Sequence, residues 1–285
     1  MSRIAYVNGR YLARRDAMVH VEDRGYQFAD GVYEVCEVRC GRMVDERRHM
    51  ARLQRSLNEL RILLPMSHAA LGVILRETIR RNRVHDGIVY LQVTRGVARR
   101  DHAFPPPGTC PSVVVTARNL DVAGNERAAS EGIAVITMPD TRWQRVDIKS
   151  TSLLPNVLAK QAARERGAKE AWLVDRDGLV TEGSSSNAWI VTAAGCVLTR
   201  PAESGILRGI TRSVLLDVIT AQGLTLKERP FTVAEAYAAS EAFITGASQT
   251  VMPVVRIDAH TIADGKPGSV ATTLRRNFHR FAEST

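Results

Sequence analysis

Residues Ala171-Trp172-Leu173-Val174-Asp175-Arg176-Asp177-Gly178-Leu179-Val180-Thr181-Glu182-Gly183-Ser184-Ser185-Ser186-Asn187 carry the densest structural signal in the chain. Ala171–Val174 and Leu179–Thr181 are short apolar runs flanking Arg176-Asp177-Gly178, which predicts a β-hairpin. The stretch then turns through three serines and enters another apolar run, Ala188–Thr192, followed by Cys196–Thr199. Glu182 thus sits where a hairpin hands over to a strand. Taken alone it is compatible with an ordinary turn carboxylate. The serines have no histidine nearby to serve as a base, so a Ser-His-Asp nucleophile is not supported.

Working outward, Pro155–Arg166 reads as a helix with Pro155 in its first turn and Gly167 just beyond its end. Gly132–Met138 reads as a strand. Between them stands Lys149, in Asp147-Ile148-Lys149-Ser150. Downstream, Leu207-Arg208-Gly209-Ile210-Thr211-Arg212 leads into a helix over Ile210–Gln222, with Val214, Leu215, Val218 and Ile219 inward and Gly223 as the stop. Glu241–Thr245 and Val254–Ile257 follow as strands, and Val270–Phe281 as a terminal helix. The N-terminal block begins with a hairpin around Asn8-Gly9. In Val32–Arg39, Tyr33, Val35, Glu37 and Arg39 share one face and Glu34, Cys36 and Val38 the other. Glu46–Leu63 is predicted as a helix with the apolar stripe Met50, Leu53, Leu57 and Leu60. Leu71–Asn82 follows as a helix and Ile88–Arg95 as a strand. The mixture is α+β. A polar stretch after Arg118 places the domain boundary: 1–118, a linker at 119–127, and 128–285.

The chain has 285 residues, 45% of them hydrophobic, enough for two modest cores. Lys and Arg outnumber Asp and Glu by 39 to 30, a net charge of +9. That balance permits a nucleic-acid-binding protein. The arginines are dispersed, however, and aromatics are only 5% and not interleaved with basic clusters. There is no G-x-G-x-x-G after a strand, no P-loop, no G-x-S-x-G and no H-E-x-x-H. Cys36, Cys40, Cys110 and Cys196 lack a paired spacing, so no metal site is expected. The first residues have no apolar signal core and no run reaches about 20 apolar residues, so a cytoplasmic protein with reduced thiols is expected.

A lysine such as Lys149 is usually solvated, but one that loses water can become a neutral amine and form a Schiff base. A helix start such as Gly209–Arg212 suits a phosphate. Arg52, off the apolar stripe of its helix, could add a charged phosphate contact. Several spaced motifs occur together with these residues. They are Glu22-Asp23-Arg24-Gly25-Tyr26-Gln27-Phe28, Asp30-Gly31-Val32-Tyr33-Glu34, Gln92-Val93-Thr94-Arg95-Gly96, Asp147–Ser150, Leu158-Ala159-Lys160-Gln161, Thr181–Asn187 and Gly209–Arg212. In these the chain resembles, over nearly its whole length, the D-amino-acid aminotransferases of pyridoxal-phosphate fold type IV.

The resemblance implies a smaller N-terminal α/β domain and a larger C-terminal cofactor domain with a β-barrel-like core. It implies pyridoxal 5'-phosphate held on Lys149, with Glu182 against the pyridine nitrogen. Arg52, Ser248 and the backbone N–H groups of Ile210 and Thr211 would bind the phosphate, and Leu207 would pack on the ring. Tyr33, Arg100 and His102 would trap the substrate α-carboxylate. A homodimer is implied, the Arg100–His102 loop reaching the partner's site. The activity implied is transamination between D-amino acids, such as D-alanine and D-glutamate, and 2-oxo acids. Branched-chain (L) aminotransferase, aminodeoxychorismate lyase and (R)-amine transaminase are the alternatives on the same fold. Arg99 beside Arg100 departs from the D-specific pattern and leaves open which arginine meets the carboxylate. Glu37, where some relatives carry lysine, would disfavour acidic substrates.

Overall fold

The computed structural model describes residues 3–203, 205–283 and 285. In the strand Gly31–Arg39 the residues Val32, Glu34, Cys36 and Val38 are buried, while Tyr33, Val35 and Glu37 are half-buried, the two-residue period expected of a strand with one face on a core. It pairs antiparallel along its length with Gly87–Thr94. These two belong to a six-stranded antiparallel sheet in the order Arg10–Ala13, Ile4–Val7, Ser112–Asn119, Gly87–Thr94, Gly31–Arg39, Arg42–Met43. The helix Glu46–Glu59 lays Met50, Leu53 and Leu57 on the buried face, and His68–Arg81 adds Leu71, Leu75 and Ile79. Ile148 joins this core. The chain accordingly divides into two units, the first comprising Met1–Asp121, Ile148–Ser152 and Glu283–Thr285, the second Val122–Asp147 and Leu153–Ala282.

The second unit holds a nine-stranded mixed sheet. Its main path runs Leu226–Glu228, Val197–Thr199, Asn187–Val191, Glu241–Gly246, Thr250–Ile257, Ile133–Pro139, Glu170–Val174, Val180–Gly183, and His260–Thr261 pairs with Thr250–Ile257. Val180–Gly183, last on that path, returns against Asn187–Val191, so the sheet curls into a partial barrel. Asn187–Val191 is buried throughout because both its faces are covered. Ala188 and Ile190 face the inner core with Trp172, Val180 and Phe231. Trp189 and Val191 face an outer core built with the helices Ile210–Ala221 and Ser269–Phe281. A third helix, Leu154–Glu165, covers Ile136, Ala171 and Leu173 with Ala159 and Ala163. The helices and strands form the mixed α+β arrangement expected.

Three local differences from the sequence reading have physical causes. The helix expected over Glu46–Leu63 ends at Glu59, because Arg61 turns to φ 54° and Arg95 donates to the Leu60 and Arg61 carbonyls. The stretch 119–127, expected as a linker, contains the start of the helix Val122–Glu131. That helix is held by tertiary contacts: Ala129 enters the inner core, Glu126 pairs with Arg275, and Asn125 Nδ2 donates to the Ser248 carbonyl. Lys149, expected within 128–285, lies on a segment grouped with the first unit, because Ile148 buries in that unit's core. Among the described residues no helix is long and apolar enough to cross a membrane.

Leu53 has no exposed surface and sits between helix and sheet. Leu53→Ala should destabilise the protein by about 2–5 kcal/mol through lost burial and a cavity, measured as a shift in the chemical-denaturation midpoint. A loss well under about 1 kcal/mol would show that this core collapses around the gap.

Candidate active site

In the first unit the segment Ile148–Ser152 lies as a short extra extended piece beside Gly31–Arg39. Tyr33 N–H donates to the Lys149 carbonyl at 3.0 Å, Thr151 N–H donates to the Gly31 carbonyl at 3.0 Å, and Val32 bridges Ser150. From the helix side, Ser56 Oγ accepts from Lys149 N–H at 3.2 Å. The backbone of Lys149 is therefore fixed from two directions. Its half-buried side chain brings Nζ to 4.2 Å from the centroid of the Tyr33 ring, within cation–π range. Tyr33 stacks on Tyr90 at 5.6 Å, and the Tyr90 hydroxyl donates to Gln92 Oε1 at 2.7 Å. Burial, with Tyr33 adding to it, pushes the Tyr90 phenol up to about 12, so it remains a donor. Tyr90 and Gln92 escaped the sequence reading; they line Tyr33 only because the strand register sets Gln92 opposite Tyr33.

On the other face of the same strand, Glu34 is buried with Arg52 and His49. Arg52 is bidentate, Nε to Oε1 at 2.8 Å and Nη2 to Oε2 at 2.7 Å. His49 Nδ1 lies 2.7 Å from Oε2. Burial opposes ionisation of Glu34, but Arg52 and His49 outweigh it and hold the carboxyl at about 2. Burial also lowers His49 below its ordinary 6.5, more than Glu34 raises it, and the charges of Arg52 and Lys149 act in the same direction. His49 is therefore neutral, its Nδ1–H donating to an ionised Glu34. Arg52 is thus half-buried, its side chain only 9% exposed, with one edge of its guanidinium on Glu34. Glu34 and His49 were missed as partners. The available signal was a carboxylate between Val32 and Cys36 on an otherwise apolar face, which cannot bury unpaired.

In the second unit the serine run is a scaffold. Glu170, fully buried, accepts from the Ser184 hydroxyl, from Ser185 Oγ at 2.8 Å and from Ser186 Oγ at 3.1 Å. Lys160 Nζ lies 3.3 Å from the same carboxylate. This cluster shapes the turn that presents Glu182, which accepts from Arg142 Nη1 at 2.5 Å, Asn187 Nδ2 at 3.0 Å and Leu207 N–H at 3.1 Å. Arg142 is gripped in turn by Asp140, Nη2 to Oδ2 at 2.7 Å and Nε to Oδ1 at 3.0 Å. Burial would raise the Asp140 carboxyl, but Arg142 and the Thr181 hydroxyl hold it below its usual range. Burial disfavours a charged Arg142, yet Asp140 and Glu182 raise its pKa further. Three cation or N–H donors thus stabilise Glu182 as a carboxylate.

Gly209 precedes the helix Ile210–Ala221 and supplies no side-chain cap. A Cβ there would collide with Asn187 Oδ1, the amide that donates to Glu182 and to the Leu207 carbonyl. The glycine therefore serves close packing and leaves the backbone of Ile210 and Thr211 as a helix N-terminus without a side-chain acceptor, which suits a phosphate. Leu207 is half-buried beside Glu182, and Ser248 is exposed in the turn between Glu241–Gly246 and Thr250–Ile257. A hydrogen-bonded carboxylate and an uncapped helix start in this unit are the kinds of group a phosphorylated pyridine aldehyde requires at its ring nitrogen and its phosphate. The residues fit that cofactor. In the first unit Arg100 sits over the Phe28 ring at 4.7 Å and the His102 ring lies 5.5 Å from it, while Arg99 is exposed.

The chain belongs to the class IV aminotransferases: residues 31–257 match the family described as "Amino-transferase class IV". It is an aminotransferase of fold type IV. Over 268 residues it is 43% identical to a D-alanine aminotransferase of Bacillus licheniformis, covering 94% of this chain and 93% of that one. It is 37% identical to a D-alanine aminotransferase of Staphylococcus haemolyticus over 98% of each chain. Among solved structures it is similar to a branched-chain aminotransferase of the archaeon Thermoproteus uzoniensis with norvaline. The TM-score is 0.87 at 25% identity, covering 100% of this chain and 99% of that one. Another branched-chain amino acid aminotransferase, solved with pyridoxamine 5'-phosphate, gives a TM-score of 0.89 at 26% identity, over 98% of this chain and 94% of that one.

The Glu34–His49 pair has a consequence for acid stability. A depressed histidine pKa means the unfolded chain binds more protons just below 6.5, so stability falls as pH drops through that range. The Glu34 contribution is present above its ordinary 4.5 and is lost only as pH falls from there toward about 2. His49→Gln should therefore flatten the melting-temperature profile immediately below pH 6.5 and leave the more acidic limb in place. An unchanged slope in that first window would show that His49 does not control it.

Proposed function

We propose that this enzyme transfers amino groups between D-amino acids, D-alanine and D-glutamate among them, and 2-oxo acids, using pyridoxal 5'-phosphate carried on Lys149. The observation that carries the D-specific reading is the 43% identity over 94% of the chain to a D-alanine aminotransferase. A cytoplasmic homodimer is part of the proposal, the Arg100–His102 loop completing the partner's substrate site.

The cofactor, when bound, supplies an electron sink for the electrons left on Cα after its proton departs. Lys149 Nζ would accept that proton from Cα and hold it for its return. Its fixed backbone, tied to Tyr33 and Ser56, limits where the amine can reach. Glu182, kept ionised by Arg142, Asn187 and the Leu207 N–H, holds a proton on the ring nitrogen. Arg52, Ser248 and the Ile210 and Thr211 N–H groups bind the phosphate, and Leu207 packs on the ring. Tyr33, Arg100 and His102 receive the α-carboxylate through phenol, guanidinium and imidazole donors.

Lys149→Ala should abolish transamination, and borohydride treatment of the wild type should leave a pyridoxyl label on the Lys149 peptide. A label on Lys160 instead would reassign the amine. Glu182→Gln should still bind the cofactor but turn over slowly, since a neutral amide cannot hold the ring proton; near-normal kcat would make Glu182 a structural residue.

Enantiomer choice separates this reading from the branched-chain one that the solved structures bring in. Arg100→Ala should lower kcat/KM for D-alanine by about 30- to 1000-fold, equivalent to ~2–4 kcal/mol, with cofactor still bound. Arg99→Ala should lose far less. A wild type that prefers L-leucine or L-valine, or an Arg99→Ala more damaging than Arg100→Ala, would overturn the carboxylate assignment.

A further inference from the structure

The loop that carries Arg100 and His102 is exposed and rich in proline, and it contains no helix or strand between Val97 and Pro111. Its root is stitched to the N-terminal segment: Arg24 N–H donates to the Gly96 carbonyl at 2.9 Å, and Asp23 bridges Val97. Farther out, where the functional side chains project, the anchor is a single buried guanidinium. Arg24 is only 3% exposed. Its Nη1 donates to the Asp101 carbonyl at 2.6 Å, and its Nη2 lies 3.5 Å from the His102 carbonyl.

Arg24 cannot drift from this position. Its Nε donates to Asp30 Oδ2 at 2.8 Å. The same carboxylate takes a bidentate contact from Arg95, Nε to Oδ2 at 2.7 Å and Nη2 to Oδ1 at 2.9 Å. One half-buried carboxylate shared by two buried guanidiniums leaves positive charge that neighbouring carbonyl dipoles help to solvate. Arg95 meets it with the Leu60 and Arg61 carbonyls. Arg24 meets it with Asp101 and His102, so lifting the loop would strip a buried charge of its acceptors. Two aromatic rings reinforce the arrangement. Phe28 lies 4.8 Å from Arg24 and 4.7 Å from Arg100, and Phe104, farther along the loop, lies 3.8 Å from the Arg95 guanidinium.

We propose that Arg24 is the positioning residue for the substrate-carboxylate loop, fixing through the Asp101 and His102 carbonyls the backbone from which Arg100 and His102 reach the substrate, with Asp30 and Arg95 holding Arg24 in register. The inference rests on the reading of Arg100 and His102 as carboxylate ligands. Arg24 touches neither substrate nor cofactor in this account. It acts by reducing the conformations the loop samples before substrate arrives, so its loss weakens substrate binding more than turnover.

The test is a double-mutant cycle in the holoenzyme, with Arg24→Met, Arg100→Ala and the double variant assayed on D-alanine and 2-oxoglutarate. Arg24→Met should raise KM for both substrates about 10- to 100-fold, as expected for a charge-assisted hydrogen bond. Its kcat and its cofactor absorbance should stay near the wild type. The double variant should lose less than the product of the two single effects, since Arg24 acts through the loop that carries Arg100 and retains only its effect on His102 when Arg100 is gone. Arg24→Lys, which keeps the charge on Asp30 with a smaller donor head, should fall between wild type and Arg24→Met, and it carries the same test if Arg24→Met does not fold. Equal losses in kcat and cofactor binding, or strictly multiplicative effects in the cycle, would overturn the positioning role. If Arg100→Ala has no effect while Arg24→Met still raises KM, Arg24 positions the loop and the Arg100 reading alone fails. If neither variant raises KM, both fail.

Discussion

Successive side chains of a strand must point to opposite faces, and in Gly31–Arg39 that constraint gives adjacent residues different work. Tyr33 turns to one side, where it meets Lys149 and Tyr90. Glu34 turns to the other, where it meets His49 and Arg52. The backbone between them receives the Lys149 segment, through the Tyr33 N–H and the Gly31 carbonyl. A slip of one residue in the pairing with Gly87–Thr94 would exchange the faces. It would bury a phenol among aliphatic side chains and expose the carboxylate that orients Arg52. The apolar residues Val32, Cys36 and Val38 fix the register against the helix Glu46–Glu59, and the site inherits its accuracy from that packing.

Carboxylates that are buried, or in Asp30 half-buried, organise both units, and each is answered by partners of a different kind. Asp30 is shared by two arginines, Glu34 by an arginine and a neutral histidine, Glu182 by an arginine, an amide and a backbone N–H, and Glu170 by hydroxyls with a lysine nearby. Such pairs are weak sources of net stability, because desolvation offsets much of their attraction, but breaking one is costly. Their value is directional: a forked guanidinium admits few orientations once its carboxylate is fixed. That suits the proposed function, in which the direction of the Lys149 amine and of the Arg100–His102 loop matters more than a further increment of folding energy.

Much of this was legible in the chain. The strand alternation at Val32–Arg39, the stripe on Glu46–Glu59 and the hairpin at Glu170–Gly183 follow local rules. Lys149, Glu182 and Arg52 gained meaning from the resemblance, since a lone lysine or turn glutamate has no distinctive local pattern. What stayed hidden was made by long-range contact. Arg142 meets Glu182 across 40 residues of sequence, and Arg24 meets the Asp101 carbonyl across 77. The helix Val122–Glu131 begins in a stretch whose composition reads as linker, and it is held by Glu126 and Ala129 finding partners in the second unit. The helix Arg24–Phe28 is five residues long and stands on its Asp23 cap, too short for any periodicity to show.

The charges needed for proton transfer are set by the protein's own residues. Glu182 accepts from Arg142, and Arg142 is held by Asp140, itself fixed by the Thr181 hydroxyl. Glu34 is ionised because Arg52 closes on both of its oxygens, and burial holds the His49 imidazole below its ordinary value, the charges of Arg52 and Lys149 adding a smaller push in the same direction. Each assignment of charge therefore follows from a neighbour one step farther from the chemistry. Dipoles and charges fixed in this way need no reorganisation when a reaction moves charge, which is where an enzyme gains most over water. The outer members, Asp140, Thr181 and His49, act through the carboxylates and guanidiniums they hold, one step removed from the proposed site.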